Sequence, residues 1–189
     1  MNIKNMIVEN FPAMIKSLLL SVITVFFLIF ILPLLAIYIS YQLSPDPPLP
    51  KVTYGEFPFK LEYSIDGKKF TVSDTLICEY DGIGINEAVG KHRKWKSHLA
   101  SKNDRITLLK INDSLEIYYS PGYARYYMGD LYSQETYNHM FPDAGILTQE
   151  DSRVIYEVIS AKDLFSKYKI KLLHWEHTTP IVNHFVLSE

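Results

Sequence analysis

The chain has 189 residues, 19 Lys+Arg against 21 Asp+Glu, a net charge of −2 and one cysteine, Cys78. A balance this close to neutral argues against nucleic acid as a partner, because its recognition by a domain calls for a strong basic excess. A lone cysteine excludes an intramolecular disulfide, and the length allows an apolar anchor plus one domain of about 140 residues, enough for a single core.

Residues 1–16 read as a short cytoplasmic tail. Ile3, Met6, Ile7 and Phe11 fit a helical face, but Pro12 interrupts it, so the tail is expected to extend the next helix without a role of its own. From Ser17 to Ser44 no side chain is charged, and Leu18 to Ile39 is almost entirely Leu, Ile, Val and Phe. About 20 apolar residues cross the hydrocarbon core of a bilayer. Residues 17–41 are therefore expected to form a transmembrane signal-anchor, with the lipid bilayer as partner of Leu18 to Ile39. A secretory signal is shorter and ends in a small-residue cleavage site. Here the run closes on Tyr38-Ile39-Ser40-Tyr41-Gln42, with no Ala-x-Ala pattern. Pro33 predicts a kink that lipid tolerates, and Tyr38 and Tyr41 suit the interface. Lys16 abuts the apolar run directly, which places the amino end inside and the following domain outside the cytoplasm.

Ser44 to Pro50, with four prolines in seven residues, predicts a polyproline stalk over residues 42–50. Residues 51–189 then read as one domain. Phe57, Phe59, Leu61, Tyr63 and Ile65 alternate with polar neighbours, the period of a strand with one buried face. Asp66-Gly67 supplies a tight turn. A return strand, Phe70 to Tyr80, is expected to end at Asp81-Gly82. Ile83 to Asp104 has no strand period and is expected as a long loop or a loop with one helical turn. Arg105 to Ile111 and Leu115 to Tyr119 form a second hairpin about Asn112-Asp113. Tyr123 to Asp130 is expected as strand, and over Ser133 to Gly145 helical and strand patterns compete. Arg153 to Ser160 reads as strand, followed by a short helix to Lys167 capped by Ser160. Ile170 to Trp175 and Ile181 to Leu187 complete the strands. The fold class expected is α+β: one N-terminal transmembrane helix, then a strand-rich, mainly antiparallel domain with one or two short helices.

Two stretches are candidates for binding. Lys91, Arg93, Lys94 and Lys96 surround Trp95, a basic patch with an apolar anchor suited to headgroups, a phosphate-bearing polymer or an acidic partner. Half of the 14 tyrosines fall between Tyr118 and Tyr137, and Tyr123, Tyr126 and Tyr127 are candidates for an exposed aromatic surface. His174, His177 and His184, with Glu176, are the candidates for a metal or a hydrolytic site. Their spacing departs from a helical His-Glu-x-x-His arrangement, and on a strand His174 and Glu176 face away from His177. Cys78 lies on an apolar strand and reads as a small buried hydrophobe. No serine sits in a Gly-x-Ser-x-Gly elbow, and no cofactor is expected.

The segments Tyr54-Gly55-Glu56-Phe57-Pro58-Phe59, Ile77-Cys78-Glu79-Tyr80-Asp81-Gly82 and Arg93-Lys94-Trp95-Lys96-Ser97 resemble small membrane-anchored proteins of Gram-positive bacteria. The resemblance implies a single-pass envelope protein and carries over no catalytic residues. The function expected is a non-catalytic, membrane-tethered extracytoplasmic accessory module, whose partner is an envelope polymer or another membrane protein. The alternatives are an anchored envelope hydrolase using the late histidines and a subunit of a membrane complex.

Overall fold

A computed structural model describes residues 3–86, 90–103, 105–131, 135–151 and 153–187. Residues 87–89 and 104 of the expected loop, and Ser133 and Gln134 of the segment with competing patterns, lie outside these. The chain divides into two compact units, Met1–Asp46 with Ile85–His92, and Pro47–Gly84 with Arg93–Glu189.

The first unit is built on a continuous helix: α1 (Ile3–Phe26), a π-helical turn (Phe27–Ile31) and α2 (Leu32–Leu43). The tail therefore extends the helix, as its sequence predicts. Pro33 explains the widened turn. A proline has no N–H to offer the carbonyl four residues back, and its ring crowds that carbonyl. The helix answers with a bond from the Leu32 N–H to the Phe27 carbonyl, five residues back. Ile15–Ser40 is long and apolar enough to cross a membrane, and none of it is buried in the protein. The hydroxyls in this span find partners within the helix: Ser21 donates to the Leu18 carbonyl at 2.8 Å, Thr24 to Leu20 at 2.9 Å and Ser40 to Ile37 at 2.8 Å. A helix that meets lipid needs its polar groups satisfied internally in this way. At the helix end, Lys91 Nζ donates to the carbonyls of Gln42 (3.1 Å) and Ser44 (2.7 Å) and pairs with Asp46 at 2.8 Å. The last carbonyls of a helix lack intrahelical donors, and the lysine supplies one.

In the second unit, strand pairing is antiparallel wherever its register is defined. One four-stranded sheet runs in the order β4 (Gly90–Leu99), β3 (Lys68–Asn86), β2 (Tyr54–Ile65), β9 (Ile170–His177). The other runs β5 (Ile106–Asn112), β6 (Leu115–Tyr119), β7 (Ala144–Glu150), β8 (Arg153–Ile159). The short helices are α3 (Ala124–Tyr127) and α4 (Ala161–Tyr168). The α+β, strand-rich class read from the sequence is the one observed. Phe57, Phe59, Leu61 and Tyr63 on β2 are buried, as their alternation requires, and Asp66-Gly67 turns the chain with φ of 50° and 79°. They share one core with Leu76 and Cys78 of β3, Ile117 and Tyr119 of β6, Leu164 of α4, and Ile170 and Leu172 of β9. Ser160 caps α4 by accepting the Asp163 N–H.

Four expectations are corrected. The proline run is not a free stalk to its end, because β1 (Leu49–Pro50) pairs with β10 (Phe185–Val186) and Pro50 is buried. The β3 strand does not stop at Asp81-Gly82 but runs to Asn86, with Gly82 at φ 82° inside it. Glycine there lets the strand bend where a turn was expected. The segment expected as a loop contains β4, whose inward members are the polar-looking Arg93 together with Trp95 and Leu99. Tyr123 to Asp130 contains a single helical turn in place of a strand.

Candidate functional site

On β4 the basic run separates into two faces. Lys94 and Lys96 lie toward solvent and pair with Asp81 (2.9 Å) and Glu79 (3.2 Å) of the neighbouring β3. Arg93 and Trp95 turn inward onto Asp130, a carboxylate only 3 % exposed. The Arg93 guanidinium reaches both oxygens of Asp130, with Nε at 3.0 and 2.9 Å, and Nη1 donates to the Pro48 carbonyl at 3.0 Å. The Trp95 indole N–H donates to Asp130 Oδ2 at 2.7 Å. The Phe185 ring packs 4.2 Å from the guanidinium carbon. A buried charge pair persists when its geometry is good and its spare hydrogen-bonding positions are filled, as they are here. With Lys91 on the helix end, each cation of the run has an acceptor inside the fold.

The tyrosines sort by the geometry of one helical turn. Tyr123, at the cap, is 69 % exposed, Tyr126 is half-buried, and Tyr127 is buried with its hydroxyl donating to the Pro121 carbonyl at 2.9 Å. Tyr137 joins them from the following segment, with ring centroids 5.4 Å from Tyr123 and 4.4 Å from Tyr126. Gly122, at φ 127°, makes room for it, since a Cβ there would lie 2.5 Å from the Tyr137 hydroxyl. Burial, reinforced by Tyr123 and Tyr126, pushes the Tyr137 phenol up to about 12, so it stays protonated as a hydrogen-bond donor. Tyr123 and Tyr137 both line two open depressions. One, of about 460 Å³, adds Trp95, Ser97, Arg125, Glu135 and Thr136. The other, of about 320 Å³, adds Ser120, Asn138, His139, Met140 and Asp143. Arg125 is held by Glu135 at 3.1 Å and donates to the Asp130 carbonyl at 3.0 Å. Flat aromatic faces bordered by hydroxyls, an amide and a fixed ion pair suit a neutral or mixed polar ligand.

The late histidines do not converge. His174 and Glu176 are exposed on one face of β9, while Trp175 and His177 lie on the other. His184 is exposed on the C-terminal segment, where its carbonyl accepts from the Lys51 N–H at 2.8 Å. His177 instead stands against His139, ring centroids 4.1 Å apart. Both nitrogens of His139 are buried without a hydrogen-bond partner among the described residues. Burial, and then His177, lowers its pKa to about 4, so the ring is neutral at physiological pH. Among the described residues no three His, Cys, Asp or Glu side chains gather as for a metal ion. Cys78 is fully buried, and burial pushes its thiol up to about 12, far from a thiolate nucleophile.

Sequence reasoning took Tyr137 only as the end of the tyrosine-rich stretch and missed Asp130 and His139. Asp130 follows Gly129, which sits at φ 64° with the Ile181 carbonyl 2.5 Å from where a Cβ would stand. That Gly-Asp pair was the available signal, and it reads equally well as an ordinary turn. Comparison with protein-family models, curated proteins and solved structures finds no match for this chain.

Proposed function

We propose that the chain is a membrane-tethered, non-catalytic interaction module of the cell envelope, anchored through Leu18 to Ile39 with its domain outside the cytoplasm. The observation that carries the reading is a fully exposed apolar helix with internally satisfied hydroxyls, in a chain that also builds a separately cored, strand-rich domain. Tethering confines a domain near anything else in the same membrane and raises its effective concentration there. The Tyr123–Tyr137 surface is the place for a partner, an envelope polymer or the polar face of another membrane protein. Tyrosine gives contact area at low entropy cost.

The test has two arms. In membranes washed with alkaline carbonate, the intact chain is expected to stay in the pellet. Recovery in the supernatant, or a mature chain beginning near residue 40, overturns the anchor. In cosedimentation with insoluble cell-wall polymer and in pull-down from detergent-solubilised membranes, Tyr123→Ala with Tyr137→Ala is expected to reduce capture. Unchanged capture in both assays overturns the aromatic surface.

A further inference from the structure

Four strands edge the two four-stranded sheets, and three of them carry a device that discourages further pairing. Natural edges are blunted by lysines, prolines, bulges or shortness. Strand β4 bears Lys91, Arg93, Lys94 and Lys96, β5 slips register twice against β6, and β9 slips once against β2. Strand β8 has none of these. It pairs with β7 without a slip from Ala144↔Ile159 to Glu150↔Arg153, and its sequence, Arg-Val-Ile-Tyr-Glu-Val-Ile, contains no Lys, Pro or Gly. Among the described residues no backbone hydrogen bond leaves its outer side. Apart from Ile159, which is buried, its apolar side chains are bare, with Val154 48 %, Ile155 37 %, Tyr156 59 % and Val158 67 % exposed. Tyr156 is nonetheless held in place, edge-on to Tyr118 at 6.2 Å and 5.7 Å from the Arg105 guanidinium carbon.

The strand is also complementary to itself. Placed antiparallel to a second copy about a two-fold axis at Ile155, it sets Arg153 opposite Glu157, Val154 opposite Tyr156 and Ile155 opposite Ile155. Residues directly opposite in an antiparallel pair share a face and interact, so the symmetry creates two Arg–Glu pairs. A two-fold at Val154 would instead set Arg153 against Ile155 and leave Glu157 opposite no strand residue, since β8 begins at Arg153. One at Tyr156 would set Ile155 against Glu157 and strand Arg153 beside Ile159. Charge therefore selects one register and one occupant.

We infer that β8 pairs with β8 of a second copy of this chain, antiparallel about Ile155, to join two four-stranded sheets into one of eight. The inference stands on the domain alone and does not require the anchor. A contact between two seven-residue strands is small beside the roughly 1,600 Å² of a standard interface, so the dimer is expected to depend on concentration.

The full-length chain in detergent, with one introduced cysteine and copper–phenanthroline as oxidant, tests this. Cys78 is buried and stays silent. Ile155→Cys meets its own copy at the two-fold, where opposite Cα atoms lie about 4.5–5.5 Å apart, within disulfide reach. It is expected to give a reducible dimer, whereas Val182→Cys, 83 % exposed elsewhere, gives little. In the Ile155→Cys background, Arg153→Glu or Glu157→Arg alone is expected to lower the dimer yield about three- to tenfold, and the two together to restore it. Equal yields at the two cysteine positions, or single and double charge variants that behave alike, overturn the inference.

Discussion

At the scale of single residues, Asp130 carries more of the domain than its place in a turn suggests. Its carboxylate is the shared acceptor of Arg93 and Trp95, and its own carbonyl holds Arg125. Asp130→Ala removes the buried carboxylate that both guanidinium and indole bond to, which costs about 3–5 kcal/mol. Urea unfolding of the full chain in detergent, followed by fluorescence of Trp95 and Trp175, is expected to show that loss. Arg93→Met combined with Asp130→Leu is expected to lose less than Asp130→Ala, because removing both charges leaves neither stranded. His139 makes a prediction of the opposite kind. Its pKa is lowered to about 4 in the folded protein and returns toward 6.5 on unfolding. The unfolded chain therefore binds the extra proton between these values, so stability falls as pH drops from about 6.5 to 4 and levels off below. The ring is only partly enclosed, so solvent screening holds the effect to about 1–2 kcal/mol. His139→Phe is expected to flatten that part of the pH profile, and an unchanged slope would remove His139 as its source.

At the scale of elements, the strands that could be read from sequence are those whose inward residues are apolar. Strand β2 announces itself because Phe57, Phe59, Leu61 and Tyr63 alternate with polar residues, and the bend at Asp66-Gly67 has no other reading. Strand β4 hides because its inward positions include Arg93, whose charge is met by Asp130, 37 residues later. Spacing along the chain contains no trace of a partner so distant. The same reason hid how the tyrosines between Tyr123 and Tyr137 come together. Tyr123 was legible as a candidate, but the Gly122 that admits Tyr137 acts through a close approach that exists only once the chain has folded. On β9 the alternation of His174, Trp175, Glu176 and His177 was legible, while the slip between Glu62 and Tyr63 that re-aims the strand was not. The face assignment of β2 has a direct check. Leu61 is fully buried between Val72 of β3 and Trp175 of β9. Leu61→Asp places an unpaired carboxylate there, and the expected cost exceeds about 4 kcal/mol, enough to abolish the cooperative unfolding transition. Lys94→Glu and Lys96→Glu, on the exposed face of β4, are expected to cost at most about 1 kcal/mol each. If the two classes of variant melted alike, the inward and outward faces would be wrongly assigned.

At the scale of the whole molecule, the consequential fact is that one chain builds a cored domain and also an apolar helical span, Ile15–Ser40, that is not buried. Exposed apolar surface on that scale is stable in water only if something covers it. At 1.5 Å per residue the 26 residues of Ile15–Ser40 span about 39 Å, longer than the roughly 30 Å hydrocarbon layer. Tilt absorbs such an excess, and the flanks can move toward the interface while the centre cannot. Position along the helix should therefore grade the cost of a charge. Leu28→Arg falls at the middle of the span and is expected to raise the insertion free energy by about 2.5–3.5 kcal/mol. Leu18→Arg lies beside Lys16, where a long cationic side chain can snorkel to the headgroups at little cost. In carbonate-washed membranes the first variant is expected to be strongly depleted and the second to match the parent chain. A helix that served only as the face of a soluble assembly would show no such dependence on depth, and equal recovery of the two variants would replace the bilayer with a protein partner.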